Sequence, residues 1–204
     1  MAFATIDVTK GITGTIPVAN GGTGLASGTT GQFLKFTGST TLASAADNQG
    51  GITEADTWRI TTNFQGNTTP ITANWERDDA YLNGNMGTGM TQSSGVFSFP
   101  STGFYLVTFN MQFSAGGADN DYILNAMELT TNNSSYDTVS FAYASIVNNS
   151  AYQGACITKK ILDITDVANQ KVRFKTSSQD NNHYVQTSST QNATYAMFIK
   201  LGDT

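Results

Sequence analysis

From Thr57 onward, apolar residues recur at every second position over short runs, separated by clusters of Asn, Gly and Ser. The clearest run is Phe104–Phe113, where Tyr105, Val107, Phe109, Met111 and Phe113 alternate with Thr108, Asn110 and Gln112. Successive side chains of a strand point to opposite faces, so this run predicts one strand with a continuous buried face; a slip of one residue would bury the amides instead. The same period runs through Val139, Phe141 and Tyr143, and through Val172 and Phe174 between Lys171, Arg173 and Lys175. It returns in Tyr195, Met197, Ile199 and Leu201. Several such strands joined by turn-forming clusters predict an all-β sandwich or barrel.

The first 46 residues have a different texture. They hold eight glycines, three charged side chains (Asp7, Lys10, Lys35) and no Trp or Tyr. Their apolar residues, among them Ile16, Val18, Phe33 and Phe36, are mostly scattered as single anchors without heptad spacing, so this stretch predicts an extended Gly/Thr-rich arm rather than a coiled coil. Fully extended, such an arm would reach at most roughly 150 Å. Residues 47–56 look like a linker, which divides the chain into an arm at 1–50 and a head at 51–204.

Composition narrows the function classes. Gly, Thr, Asn and Ser supply 86 of 204 positions, and charged residues make up only 12%. These small polar residues disfavour helix interiors and suit strands and turns. A net charge of -5 leaves no electrostatic footprint for nucleic acid. The longest apolar runs span four or five residues, too short for membrane insertion. One cysteine, Cys156, excludes an intrachain disulfide, and with one histidine, His183, no Cys/His zinc site can form.

Candidate chemistry is sparse, and no enzymatic activity is expected. No nucleophile elbow, zinc-protease helix or phosphate loop occurs. Cys156, in a small-residue run, reads as a packed core residue. Carboxylates cluster at Glu76, Asp78 and Asp79, at Asp119 and Asp121, and at Asp163 and Asp166, as solvated turn formers do. Recognition is better served by loops that pair amides or carboxylates with an aromatic or imidazole ring. The candidates are Asp119, Asn120 and Asp121, then Tyr136, Tyr152 and His183, with a glycan or protein as the ligand.

Two stretches resemble known families. In the arm, Gly14-Thr-Ile16-Pro17-Val18-Ala-Asn20-Gly21-Gly22-Thr-Gly24, followed by Thr30–Gly38 with Phe33 and Phe36, is similar to a motif of bacteriophage tail fibres and other fibrous virion proteins. Pro17 fixes an extended entry, and Asn20, Gly21 and Gly22 tolerate positive φ. In the head, Ser94–Tyr105, with Phe97 and Phe99, and the ending Tyr195–Asp203 resemble the signature and closing strand of C1q-like and TNF-like jelly rolls. Thr57–Phe64 and Ile71–Trp75 would be its opening strands.

The second resemblance implies a trimerising jelly-roll sandwich, with Phe97, Phe99, Tyr105, Phe109, Tyr195 and Phe198 in its core or three-fold seam. It also implies trimers that often bind calcium, with Asp119 and Asp121 as the first ligands to consider; no other metal and no cofactor is expected. Together the resemblances imply a homotrimeric phage fibre or spike, resident in the virion, anchored to tail or capsid proteins by its arm and presenting its head to the host surface. The alternatives are a head fibre or capsid decoration protein without a receptor role, and a fibre-borne polysaccharide hydrolase.

Overall fold

A computed structural model of the chain describes residues 16, 22–23, 25, 27–39, 41–45, 51–81, 84–149 and 151–204. Pro17, Val18, Asn20, Gly21 and Gly24 of the arm motif lie outside the described residues. The chain divides into two compact units, Met1–Gly50 and Gly51–Thr204.

In the first unit, β1 (Phe33–Phe36) and β2 (Leu42–Ala45) pair antiparallel, with Phe33 opposite Ala45 and Phe36 opposite Leu42. The arm is therefore not extended throughout. Scattered apolar anchors carry little period-two signal, and the Gly38 turn between the two short strands was the only local cue.

In the second unit two antiparallel sheets face each other. The five-stranded sheet runs β10 (Asp137–Ile146), β9 (Asn120–Thr130), β12 (Lys171–Ser178), β7 (Val96–Ser98), β6 (Thr91–Ser93). The seven-stranded sheet is centred on β8 (Gly103–Ser114). Along one edge β8 pairs over its whole length with β11 (Gln153–Ile164); its other edge is shared by β14 (Tyr195–Gly202) and β13 (Tyr184–Gln186). Beyond β14 lie β3 (Ala55–Ile60) and β5 (Trp75–Arg77), and beyond β13 lies β4 (Phe64–Gln65). This is the all-β jelly-roll sandwich that the sequence predicts. No helix occurs among the described residues.

The core forms where the period-two runs of the two sheets meet. Tyr105, Val107, Phe109, Met111 and Phe113 of β8 are at most 1% exposed, and Val172 and Phe174 of β12 are fully buried. Phe109 stacks on Phe174 across the sandwich at 4.5 Å, and Phe97 meets Trp75 edge-on at 5.0 Å. Such ring pairs add about 0.5–1.5 kcal/mol each beyond the area they bury. The strands also start where backbone geometry requires. Ser94 (φ 49°) and Gly95 (φ 78°) form the two-residue turn between β6 and β7, the left-handed pair whose twist matches a hairpin. A Cβ on Gly95 would lie 2.0 Å from the Ile71 carbonyl oxygen.

Two runs have the opposite phase. In β14 the buried residues are Ala196, Phe198 and Lys200, and Tyr195, Met197, Ile199 and Leu201 point away from the core. In β10 Phe141 and Tyr143 are 59% and 61% exposed, with Ala142 and Ala144 on the inner side. Period two identifies a strand, but it does not say which face is inward when both faces are apolar.

Candidate interaction surfaces

Directly opposed residues of antiparallel neighbours share a face. On the outer face of the seven-stranded sheet the register aligns Ile161, Leu106, Ile199 and Ala55 in one row and Ile157, Asn110, Tyr195 and Arg59 in another; Lys159, Thr108, Met197 and Thr57 form the row between them. Phe104, Ile157, Ile161 and Leu201 are 40–57% exposed there. The face is not wholly apolar, since Lys159 stands opposite Thr108 and Asn110 and Arg59 share it. An antiparallel sheet with one solvated face nonetheless normally turns polar residues outward, and the exposed Phe104, Ile157, Ile161 and Leu201 make this face a candidate interaction surface. At its centre the Thr108 hydroxyl is buried without a hydrogen-bond partner.

Of the six residues assigned from sequence to a core or seam, only Tyr195 lies on this face. Phe97, Phe99, Tyr105, Phe109 and Phe198 are at most 4% exposed within a single chain, beyond the reach of a neighbouring copy. Their phase along β7, β8 and β14 turns them into the sandwich, so any seam must use the complementary positions. A second, smaller apolar patch lies on the outer side of β9 and β10, where the rings of Tyr122 and Phe141 each contact that of Tyr143, at 5.8 and 5.3 Å. The rest of that outer face is charged: Glu128 holds Arg173 and Lys175, each at 2.7 Å.

The predicted recognition loops divide. Three converge at one end of the sandwich. The Asn148 backbone N–H donates to Asp119, and the Asn120 amide donates to Asn182 at 2.8 Å. Asp119, Asp121 and Tyr152 are exposed there, but Asn120 is only 1% exposed because its amide ties the loops together. Tyr136 belongs to the opposite end, separated by the eleven residues of β9, about 35 Å of strand. It is half-buried, with the Arg173 guanidinium 3.8 Å above its ring.

His183 is not a surface residue. It is fully buried, with Nε2 2.8 Å from the Thr176 hydroxyl and Nδ1 2.8 Å from the Ser178 hydroxyl. Burial pushes its pKa down to about 4. With both nitrogens occupied by buried hydroxyls, it staples β12 to the segment before β13. The Asn and Asp residues around it gave a polar reading of a segment whose backbone runs inward. Cys156 is buried as expected, and desolvation pushes its thiol up to about 12, far from a reactive thiolate.

The acids at 76–79 also have a role the sequence did not reveal. Arg59, 1% exposed, is held by Asp78, by Asp79 at 3.0 Å and by Glu76 at 3.2 Å. Next to it Arg77 pairs with Asp56 at 3.1 Å, and Asp56 also accepts the Met90 N–H and the Trp58 indole N–H. Buried charges persist only when paired and hydrogen-bonded, so these residues form an ionic clasp around β3 and β5. Opposite charges at 56, 59 and 76–79 in a chain so poor in charge were the available signal. Among the described residues no group of three acid, His or Cys side chains is placed to hold a metal ion.

In the first unit the apolar side chains are uncovered. Phe33, Leu34 and Phe36 are 54–65% exposed, on both faces of the β1–β2 hairpin. Ile16 and Gly22 approach so closely that a Cβ on Gly22 would lie 2.1 Å from the Ile16 carbonyl oxygen. A two-stranded hairpin alone is marginal in water, and the rings of Phe33 and Phe36 lie open on this one.

No family model matches the chain, and no curated protein matches it by sequence. Solved structures do match the fold. Eiger TNF from S. frugiperda superposes with a TM-score of 0.55 at 14% identity, covering 76% of this chain and 96% of that one. Murine APRIL at pH 5.0 gives 0.52 at 13% identity, over 72% and 98%. At such identities the likeness establishes a TNF-like jelly-roll fold.

Proposed function

We propose that the chain is a non-enzymatic structural protein of a bacteriophage particle, a homotrimeric fibre or spike anchored by residues 1–50, with the jelly-roll head turned to the host surface. The apolar outer face of the seven-stranded sheet carries the assembly part of this reading. A cyclic trimer joins unlike patches of neighbouring copies. The face around Leu106, Ile161 and Ile199 supplies one patch, and the Tyr122, Phe141 and Tyr143 cluster on the neighbouring copy supplies the other. The phage part rests on the resemblance of Gly14–Gly24 to virion fibre motifs and is supported by the uncovered rings of the β1–β2 hairpin, which suit docking on a larger body.

Antibody to the head, imaged on purified virions that carry this chain, tests the reading. Label at the tail is the expected result. A coat of label over the capsid would replace the fibre by a decoration protein, and unlabelled particles would overturn the virion assignment. Deletion of residues 1–50 should remove the chain from particles while leaving the head trimeric.

A further inference from the structure

We infer that the head carries a binding cavity for a single neutral sugar ring, between β4 and the segment that follows it. The cavity measures about 180 Å³ and is lined by Phe64, Gln65, Thr68, Ile71, Thr72 and Asn74, with exposed Ala73 at its rim. It is smaller than the roughly 300–1,000 Å³ pockets that take drug-sized ligands, so it suits one ring with its substituents.

The chemistry of the lining selects the ligand class. No charged side chain contributes, which disfavours an anion or cation and favours a neutral molecule. Half-buried Phe64 supplies apolar contact, backed by the core residue Ile71, as the C–H face of a pyranose requires. The amides of Gln65 and Asn74 and the hydroxyls of Thr68 and Thr72 supply both donors and acceptors, as vicinal hydroxyls require. The Asn74 amide and the two threonine hydroxyls form no hydrogen bond with the described residues, so their capacity is open to a ligand.

The walls are fixed before any ligand arrives. Thr68 exchanges two backbone hydrogen bonds with Thr176, the Ile71 N–H donates to the Phe174 carbonyl, and the Trp75 indole donates to the Ile71 carbonyl at 2.8 Å. Gln65 also donates to the carbonyls of Gly116 and Asn182, which places the cavity beside the end where the exposed loops of Asp119 and Tyr152 converge. The inference deepens the proposed role in host-surface binding and rests on it for its biological meaning.

The test is a titration of the full chain with the neutral methyl glycosides of glucose, galactose, mannose and N-acetylglucosamine, followed by saturation transfer and by the methyl resonances of Ile71 and Ala73. One of them should saturate with a Kd on the order of 1 mM and shift both methyls. Ala73→Trp, which fills the mouth, and Thr72→Ala, at an exposed position without partners, should each weaken binding, the first by about tenfold or more. Absence of saturation by all four glycosides would overturn the inference, as would shifts confined to other residues or unchanged affinity in both variants. Light scattering on the same samples separates the two claims: a trimer that binds no sugar defeats the cavity alone, and a monomer that binds one defeats the assembly alone.

Discussion

The two outer faces of the sandwich differ in what they ask of their surroundings. On the five-stranded sheet, Lys171, Arg173 and Lys175 project beside Glu128, and water can solvate most of the surface. On the seven-stranded sheet, Phe104, Ile157, Ile161 and Leu201 project around the cation Lys159, beside half-buried Leu106, Met197 and Ile199. Both sheets bury the same kind of inner face, so the demands of the core do not explain the contrast. Residues that fill the core and residues that form the outer face occupy alternate positions of the same strands, β8 and β14 above all.

The contrast can be broken from the inside out. Phe109→Ala removes a ring stacked on Phe174 in the centre of the core and should cost about 3–5 kcal/mol in chemical denaturation, whatever the state of assembly. A cost below about 1 kcal/mol would mean that β8 does not bury this face.

Acid comes next, through His183. The folded chain holds the imidazole neutral down to about pH 4, whereas the unfolded chain protonates it near pH 6.5. Between these values the unfolded state binds more protons, so stability rises with pH across this window and is lost as pH falls through it, by about 3 kcal/mol in total. Urea midpoints measured from pH 7 to pH 4 check this, and His183→Gln should flatten the curve.

On the outer face, Ile161→Asp should leave the far-ultraviolet spectrum and the core intact but dissociate the trimer, because each large aliphatic side chain buried in a seam contributes about 1.5–3 kcal/mol. Sedimentation of the variant reads the outcome; an unchanged mass would remove Ile161 from the seam. The smallest effect is expected across the sandwich. Lys175→Ala should change stability by less than about 1 kcal/mol, since Glu128 retains Arg173 and the ammonium is partly solvated.

How much of this the sequence disclosed depended on whether one face of a strand was distinctive. In β12, cations alternate with Val172 and Phe174, so both the strand and its orientation were legible. In β8 the odd positions form an unbroken apolar set, and they are buried as read. In β14 every position from Tyr195 to Ile199 is apolar, and period-two reasoning had no polar face by which to orient the strand. That ambiguity arises at a candidate interface because an interface strand needs two apolar faces. The same blindness affected His183 and Asn120, whose polar neighbours suggested solvent although His183 is bonded inside the sandwich and Asn120 is buried tying the loops at its end. The cavity between β4 and the 68–74 segment was not foreseen, because its lining residues are joined by a fold with no local signature.

In the proposed assembly the outer face of the seven-stranded sheet is covered by further copies of the same chain. Light scattering on the full chain at micromolar concentration tests it most directly. A homotrimer gives a particle of about 65 kDa, three times the 21.7 kDa chain, and this is the expected result. A folded species of 21.7 kDa that persists under those conditions would contradict it.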